Sequence, residues 1–247
     1  AGTAPVTSQP VAAPVATQPS PVPTGAIVVA IGGDDAAPGT PEEPVASVGR
    51  ALQLAPPGGT VVMRAGNYHE SLTITSTVAI QAWPGEEVWF DGSVPVTGWL
   101  PDGSVWRADG WTVEFDPSPT YTRGAPDSTQ PSFSFIDPAR PLASHPDQVW
   151  IDGVAQRQVG TPAEVVPGTF FHDQPADRLY VGSDPTAAEV RASDLVKAMS
   201  VRAEGVQLSG FGVRRYAPSV LDLGAVTLEQ PGITIEQVTI TDSATTG

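Results

Sequence analysis

The apolar positions of this chain arrive in very short bursts. Val61-Val62-Met63, Leu72-Thr73-Ile74, Val78-Ala79-Ile80 and Val88-Trp89-Phe90 follow one another, with Ala65-Gly66-Asn67, Pro84-Gly85 and Asp91-Gly92 as punctuation. Apolar and polar residues alternate within the pieces, as in strands with one buried face. The pieces are shorter than the strands of a sandwich. Short strands with a turn after each are what a solenoid of stacked coils requires. One stretch has a different period. In Val45-Ala46-Ser47-Val48-Gly49-Arg50-Ala51-Leu52-Gln53-Leu54-Ala55 the apolar positions 45, 48, 51/52 and 55 repeat as on a helix, and Pro56-Pro57-Gly58-Gly59 stops it. This predicts a single real helix, placed after the apolar run Ala26–Ala30 and the loop Gly32-Gly33-Asp34-Asp35.

The short-strand texture returns near the C-terminal end with a repeat. Gly205 to Val213 aligns with Gly232 to Ile240 at an offset of 27 residues. Val206/Ile233, Leu208/Ile235, Phe211/Val238 and Val213/Ile240 stay apolar, and Ala217 matches Ala244. Ala225-Val226-Thr227-Leu228 lies between and makes a third strand of that turn. Three short strands per coil describe a parallel β-helix, each coil stacking its apolar positions on those of its neighbour.

The stretch 97–197 breaks this texture. It holds Trp99, Trp106, Trp111 and Trp150 and the proline-rich Asp116-Pro117-Ser118-Pro119. Gln148 to Val154 is a strand candidate that carries the hairpin signal Asp152-Gly153, and Phe170 to Asp173 with Asp177 to Val181 reads as a second hairpin. We read it as an inserted antiparallel β subdomain, the alternative being coils with long loops. The expected organisation is a linker or stalk over 1–25, an N-terminal cap and first coils over 26–96, the insert over 97–197 and resumed coils over 198–247. The chain stops at Gly247 partway through a turn, which would leave a strand edge of the kind proteins cover. A C-terminal continuation or a second chain on that end is the expectation.

Composition narrows the class. The chain has 247 residues, 25 Gly, 27 Pro, no Cys and a formal net charge of -15. Without cysteine there is no disulfide framework, thiolate zinc site, iron–sulfur cluster or cysteine nucleophile. No stretch approaches the apolar run of about 18 residues that a membrane helix needs. One lysine, Lys197, and 27 acidic residues against 12 basic ones argue against a nucleic-acid partner, which requires clustered positive charge. Proline and glycine spread along the whole chain argue against a helical bundle. Residues 1–25 repeat Pro among Ala, Val, Thr and Gln, a composition for extended polyproline-like chain. The chain opens on Ala1 with no positive-then-apolar leader, which reads as a processed or excised piece. With the acidity, the stalk predicts an extracellular or cell-surface location.

Gly33-Asp34-Asp35, Pro38-Gly39-Thr40, Glu43-Pro44, Ala51-Leu52, Pro57 to Val61, Gly66-Asn67-Tyr68-His69-Glu70 and Pro84-Gly85 to Gly92 resemble the opening of secreted right-handed parallel β-helix proteins of the pectate-lyase-like superfamily. Trp150-Ile151-Asp152-Gly153, Phe170 to Asp173 and Leu179-Tyr180-Val181 resemble the β-sandwich insert of some members, and Gly210 to Ala217 the coil on which the solenoid resumes. The resemblance implies an all-β, right-handed parallel β-helix with an N-terminal capping helix and an inserted antiparallel domain. It implies polysaccharide as partner. It does not choose among lyases, glycoside hydrolases, epimerases, tailspikes and non-catalytic surface proteins. Members usually carry their catalytic residues on later coils than this chain contains.

β-Elimination on a polysaccharide needs a charge neutraliser and a base, roles that calcium with aspartates and Arg or Tyr can fill. Arg214-Arg215-Tyr216 follows a predicted strand, and Asp242 takes the aligned place one coil later. Asp222, Glu229 and Glu236 share the expected outer face, and Asp222 with Glu229 or Asp242 is the available carboxylate pair for hydrolysis. The bland alternative is a solvated face with an Arg–Asp pair between coils. Asp34 and Asp35 are candidate calcium ligands, with Asx-turn capping as the alternative. Trp83 and Trp89 flank Pro84-Gly85 and are candidate stacking platforms for sugar rings, with packing as the alternative.

Overall fold

The computed structural model of the protein describes residues 21–127 and 134–244. Most of the stalk expectation, residues 1–20, lies outside the described residues, as do 245–247. The remainder falls into two compact units, one made of Ser93–Asp194 with Ser219–Leu221 and the other of the rest.

The coil unit contains three sheets whose neighbouring strands all run parallel. Sheet A stacks Ile27–Val29, Gly59–Met63, Val78–Ala82, Gln207–Ser209 and Thr234–Glu236. Sheet B stacks Gly66–Tyr68, Val88–Asp91, Gly212–Arg214 and Thr239–Thr241. Sheet C stacks Leu72–Ile74, Met199–Val201 and Val226–Leu228. From Gly59 onward the chain visits A, B and C in that order on every turn, which is the winding of a parallel β-helix. The C-terminal repeat is structural: Leu208 pairs with Ile235, Val213 with Ile240 and Met199 with Val226, each across the predicted 27 residues.

Alternation within each strand sends one set of side chains inward, and the register stacks them in columns. Val61, Ile80, Leu208 and Ile235 form one column, and Tyr68, Phe90, Val213 and Ile240 another. Phe90 meets Phe211 edge-on at 5.4 Å between ring centres. Each fully buried aliphatic or aromatic side chain in these columns contributes roughly 2 kcal/mol.

The helix spans Val48–Leu54, shorter at its start than the periodicity suggests. Val45 is drawn off by a parallel bridge to Val29. Ser47 takes the N-cap, its hydroxyl accepting from Arg50 N. The Glu70 carboxylate then accepts from the backbone N–H groups of Val48 and Gly49, both at 2.8 Å. These first-turn donors have no partner inside the helix, so a fixed anion there satisfies them. The Gly66-to-Glu70 segment thereby acquires a physical role. Gly66 has φ 144°, and a Cβ there would lie 2.5 Å from Ile31 Cγ1. Buried Tyr68 donates its hydroxyl to Arg64 O at 2.8 Å.

The other unit is an eight-stranded sheet in the order Ser93–Pro95, Val190–Ser193, Val149–Ile151, Val154–Gln158, Thr169–Asp173, Arg178–Val181, Val105–Asp109 and Leu100–Asp102. Asp152 and Gly153, both left-handed (φ 49° and 76°), turn one hairpin, and Phe170 pairs with Val181 in another. The expectation of a purely antiparallel sheet fails at one place: Val154–Gln158 and Thr169–Asp173 run parallel. Their connection passes through the short 3-10 turn Pro162–Glu164, so the chain returns in the same direction without a tight hairpin.

Candidate functional site

The outward columns of sheet B gather most of the polar chemistry. Register sets Asn67 beside Trp89 and Trp89 beside Gly212, and it sets Asp91 beside Arg214 and Arg214 beside Thr241. Asp91 is the centre. Its carboxylate is buried, and its Oδ2 accepts from Arg214 Nε at 2.8 Å and lies 3.5 Å from Arg215 Nη1. Arg214 Nη2 donates to Asn67 Oδ1 at 2.9 Å, and His69 Nδ1 lies 2.8 Å from Asp91 O. One guanidinium therefore bridges three coils, from Asn67 through Asp91 to its own strand.

Trp89 explains how this is packed. It points outward yet is only 4% exposed. A Cβ on Gly212 would lie 2.2 Å from Trp89 Cε3, so the indole occupies the space a side chain would take on the next coil. The Arg214 guanidinium covers the ring at 4.6 Å, a cation–π contact, and the indole N–H donates to Glu87 Oε1 at 2.8 Å. Trp89 is thus the floor beneath Arg214 and not a platform open to sugars. Trp83, half-buried, is likewise covered by a guanidinium, that of Arg64 at 4.6 Å, which pairs with Glu86 at 2.7 Å.

Past the sheet B strands the chain turns a corner in which Arg215 and Asp242 hold the same place on successive coils. Both are left-handed, with φ 59° and 51°. Asp242 keeps much of its surface in solvent, yet its carboxyl group lies close enough to the packed corner for desolvation to push its pKa above the usual carboxylate value. The guanidiniums of Arg215 and Arg214 oppose that rise, and Asp91 adds to it. Arg214, Arg215 and Asp242 are therefore brought together around Asp91, a residue the sequence reading did not single out.

The other candidates lie elsewhere. Tyr216 is buried and donates its hydroxyl to Glu70 O at 2.7 Å, an anchor inside the solenoid. Glu229 follows the last sheet C strand, pairs with Arg202 at 3.1 Å and accepts from Thr227 Oγ1. It therefore leaves a different sheet from the one Asp242 follows. Asp222 ends the short 3-10 turn Val220–Asp222, and Glu236 is exposed on sheet A. Asp34 and Asp35 spend their oxygens on the loop. Asp34 Oδ1 accepts from Ala36 N, and Asp35 accepts from Ala46 N, Ser47 N and Ser47 Oγ at 2.8–2.9 Å. The Ser47 hydroxyl and N–H hold the Asp35 carboxyl below its usual range. This is the Asx-capping arrangement. Among the described residues no group of three or more His, Asp or Glu side chains could hold a metal ion.

Residues 31–86 match the family described as Protein of unknown function (DUF1565). No curated protein matches the chain. Among solved structures, the chain is similar to one described as the complex structure of XylC with xylose, at 18% identity and a TM-score of 0.60 over 78% of this chain and 36% of that one. It is also similar to one described as a glycoside hydrolase, at 15% identity and a TM-score of 0.49 over 78% of this chain and 51% of that one. The chain thus spans well under two thirds of either neighbour. The likeness to the first is one of fold, and it agrees with the three stacked parallel sheets.

Proposed function

We propose that this chain is part of an extracellular, carbohydrate-active, right-handed β-helix protein, with Val48–Leu54 as its cap and Ser93–Asp194 as a module inserted between two coil strands. Polysaccharide lies along the outer columns of sheet B. The observation that carries the reading is the column of Asp91, Arg214 and Thr241 on successive coils, with Asn67 bonded to the same Arg214, because a parallel solenoid repeats polar groups at the strand spacing of about 4.8 Å along a groove. His69 and Asp242 flank that row. The fold neighbour described with xylose supports a sugar as the ligand. The acidic composition with one lysine supports the extracellular location. Affinity electrophoresis through gels containing xylan, pectin or neutral glucans tests the reading. Retardation in at least one gel, reduced in Asn67→Ala, is expected. No retardation across the panel overturns it. Assays for reducing ends and for unsaturated ends on the same polymers decide whether binding leads to cleavage.

A second reading, a non-catalytic surface module, has its own observation. On the last coil Leu228, Ile235 and Ile240 are 49%, 42% and 37% exposed, whereas Val201, Leu208 and Val213 in the same columns one coil earlier are buried. That apolar end fits a further β-coil, supplied by a C-terminal continuation or a second chain.

A further inference from the structure

Along the outer face of sheet B the positive charge is turned inward. Arg214 and Arg215 both face the buried Asp91 carboxylate, at 2.8 and 3.5 Å, and their side chains are only 22% and 11% exposed. Arg214 is held a second time, over the Trp89 ring. Arg64, at the corner that leads into the sheet, pairs with Glu86 and lies over Trp83. Lys197, the chain's one lysine, leads into a sheet C strand. Drawing either guanidinium off Asp91 leaves a buried carboxylate short of compensation.

The groups left to meet a ligand are neutral or negative. Arg214 Nη2 fixes the exposed Asn67 amide through its oxygen at 2.9 Å, so the two Nδ2 donors are not used by that contact. Thr241 follows Arg214 in the same column, and among the described residues its hydroxyl has no partner. Asp242, exposed at the corner beyond, adds a carboxylate. An amide donor, a hydroxyl and a carboxylate acceptor complement the hydroxyls of a sugar. A uronic acid at the same place meets a like charge at Asp242, guanidiniums already engaged on Asp91, and the field of a chain with net charge -15.

We propose that the sheet B groove takes a neutral polysaccharide and rejects polyuronates. Asn67 and Asp242 meet sugar hydroxyls, and Asp91 keeps both guanidiniums from carboxylate ligands. The proposal rests on the sheet B reading above and narrows it to one substrate class.

Isothermal titration of the whole chain at neutral pH with xylohexaose, cellohexaose, mannohexaose and hexagalacturonate tests it. At least one neutral hexamer should bind, about tenfold or more tighter than hexagalacturonate, as expected for like-charge rejection. Its affinity should change by less than about twofold between low and high salt, because no ion pair forms. Asn67→Ala should weaken it. Asp242→Asn should raise hexagalacturonate affinity and narrow the gap. Asparagine tolerates the left-handed backbone of this exposed corner, so that variant should not lose thermal stability. Asp91→Asn releases both guanidiniums and should raise hexagalacturonate affinity further, and the Asp242→Asn result carries the test whether or not that second variant folds. Hexagalacturonate binding as tightly as the best neutral hexamer overturns the proposal and leaves the carbohydrate reading standing. So does an unchanged gap in Asp242→Asn, or neutral binding that Asn67→Ala does not weaken. Failure of all four hexamers to bind overturns the carbohydrate reading itself, and the proposal with it.

Discussion

The Arg214 guanidinium lies over the Trp89 ring and bonds to the Asp91 carboxylate, so one side chain closes both the apolar and the ionic part of sheet B's outer face. Asp91 is buried, and a buried charge is costly once its partner is removed. Arg215 stays within 3.5 Å and supplies part of the compensation. Arg214→Ala should therefore cost about 2–3 kcal/mol, below the full value for an orphaned buried charge. Asp91→Asn in the Arg214→Ala background should recover part of that loss. A double-mutant cycle by urea denaturation measures the coupling, and additive losses would show that the two side chains do not share an interaction.

Gly212 is the steric counterpart of Trp89. A methyl group placed 2.2 Å from the indole forces one of them to move. Gly212→Ala should destabilise by about 1–3 kcal/mol, the usual range for overpacking. It should also shift the fluorescence of Trp89, displacing the ring from beneath Arg214. The smaller side chain of Trp89→Leu should make Gly212→Ala much less damaging.

Much of the coil architecture was legible locally. The alternation inside three-residue pieces and the offset of 27 residues between Gly205 and Gly232 both reappear as strand register, since stacked coils repeat what a single coil needs. The first coils hid their period because Val61 stacks on Ile80 while Gly66 stacks on Val88, so the spacing changes from sheet A to sheet B. The site was less legible. Arg214, Arg215 and Asp242 sit close in sequence or on the repeat, but Asp91 is 123 residues from Arg214. Only the register joining Val88–Asp91 to Gly212–Arg214 across the intervening eight-stranded unit places them side by side. Trp89 is a second case. Alternation sends it outward, and the glycine and arginine that bury it belong to the next coil.

Glu70 gives a separate test of how the helix is fixed. Its two oxygens serve two backbone donors at the helix start. Glu70→Gln keeps the shape but offers one acceptor oxygen in place of two and removes the charge that favours a helix N-terminus. The expected loss is about 1 kcal/mol for Gln and about 2 kcal/mol for Ala, as for strong N-cap residues. Hydrogen exchange should speed up first at Val48 and Gly49. Equal protection there in wild type and Glu70→Ala would show that water serves those donors as well as Glu70 does.

Two aspartates should pull acid stability in opposite directions. Asp35 has a folded pKa below its ordinary value of 3.8, set first by the Ser47 hydroxyl. Its contribution is therefore complete above 3.8 and is lost as pH falls through the lower folded value. Asp242 is the reverse: desolvation raises its folded pKa above 3.8, so its favourable contribution is complete below 3.8 and is lost as pH rises through the folded value. Asp35→Asn should flatten the stability curve on the acid side of 3.8, and Asp242→Asn on the alkaline side. The corner geometry adds a sharper expectation for the Asp242 carboxyl resonance in an NMR titration. Removing positive charge in Arg215→Gln should raise its midpoint, and removing negative charge in Asp91→Asn should lower it, because these groups act on Asp242 with opposite sign. Midpoints that move together in the two variants would mean that Asp242 does not feel the Asp91–Arg215 corner, and would remove it from the site.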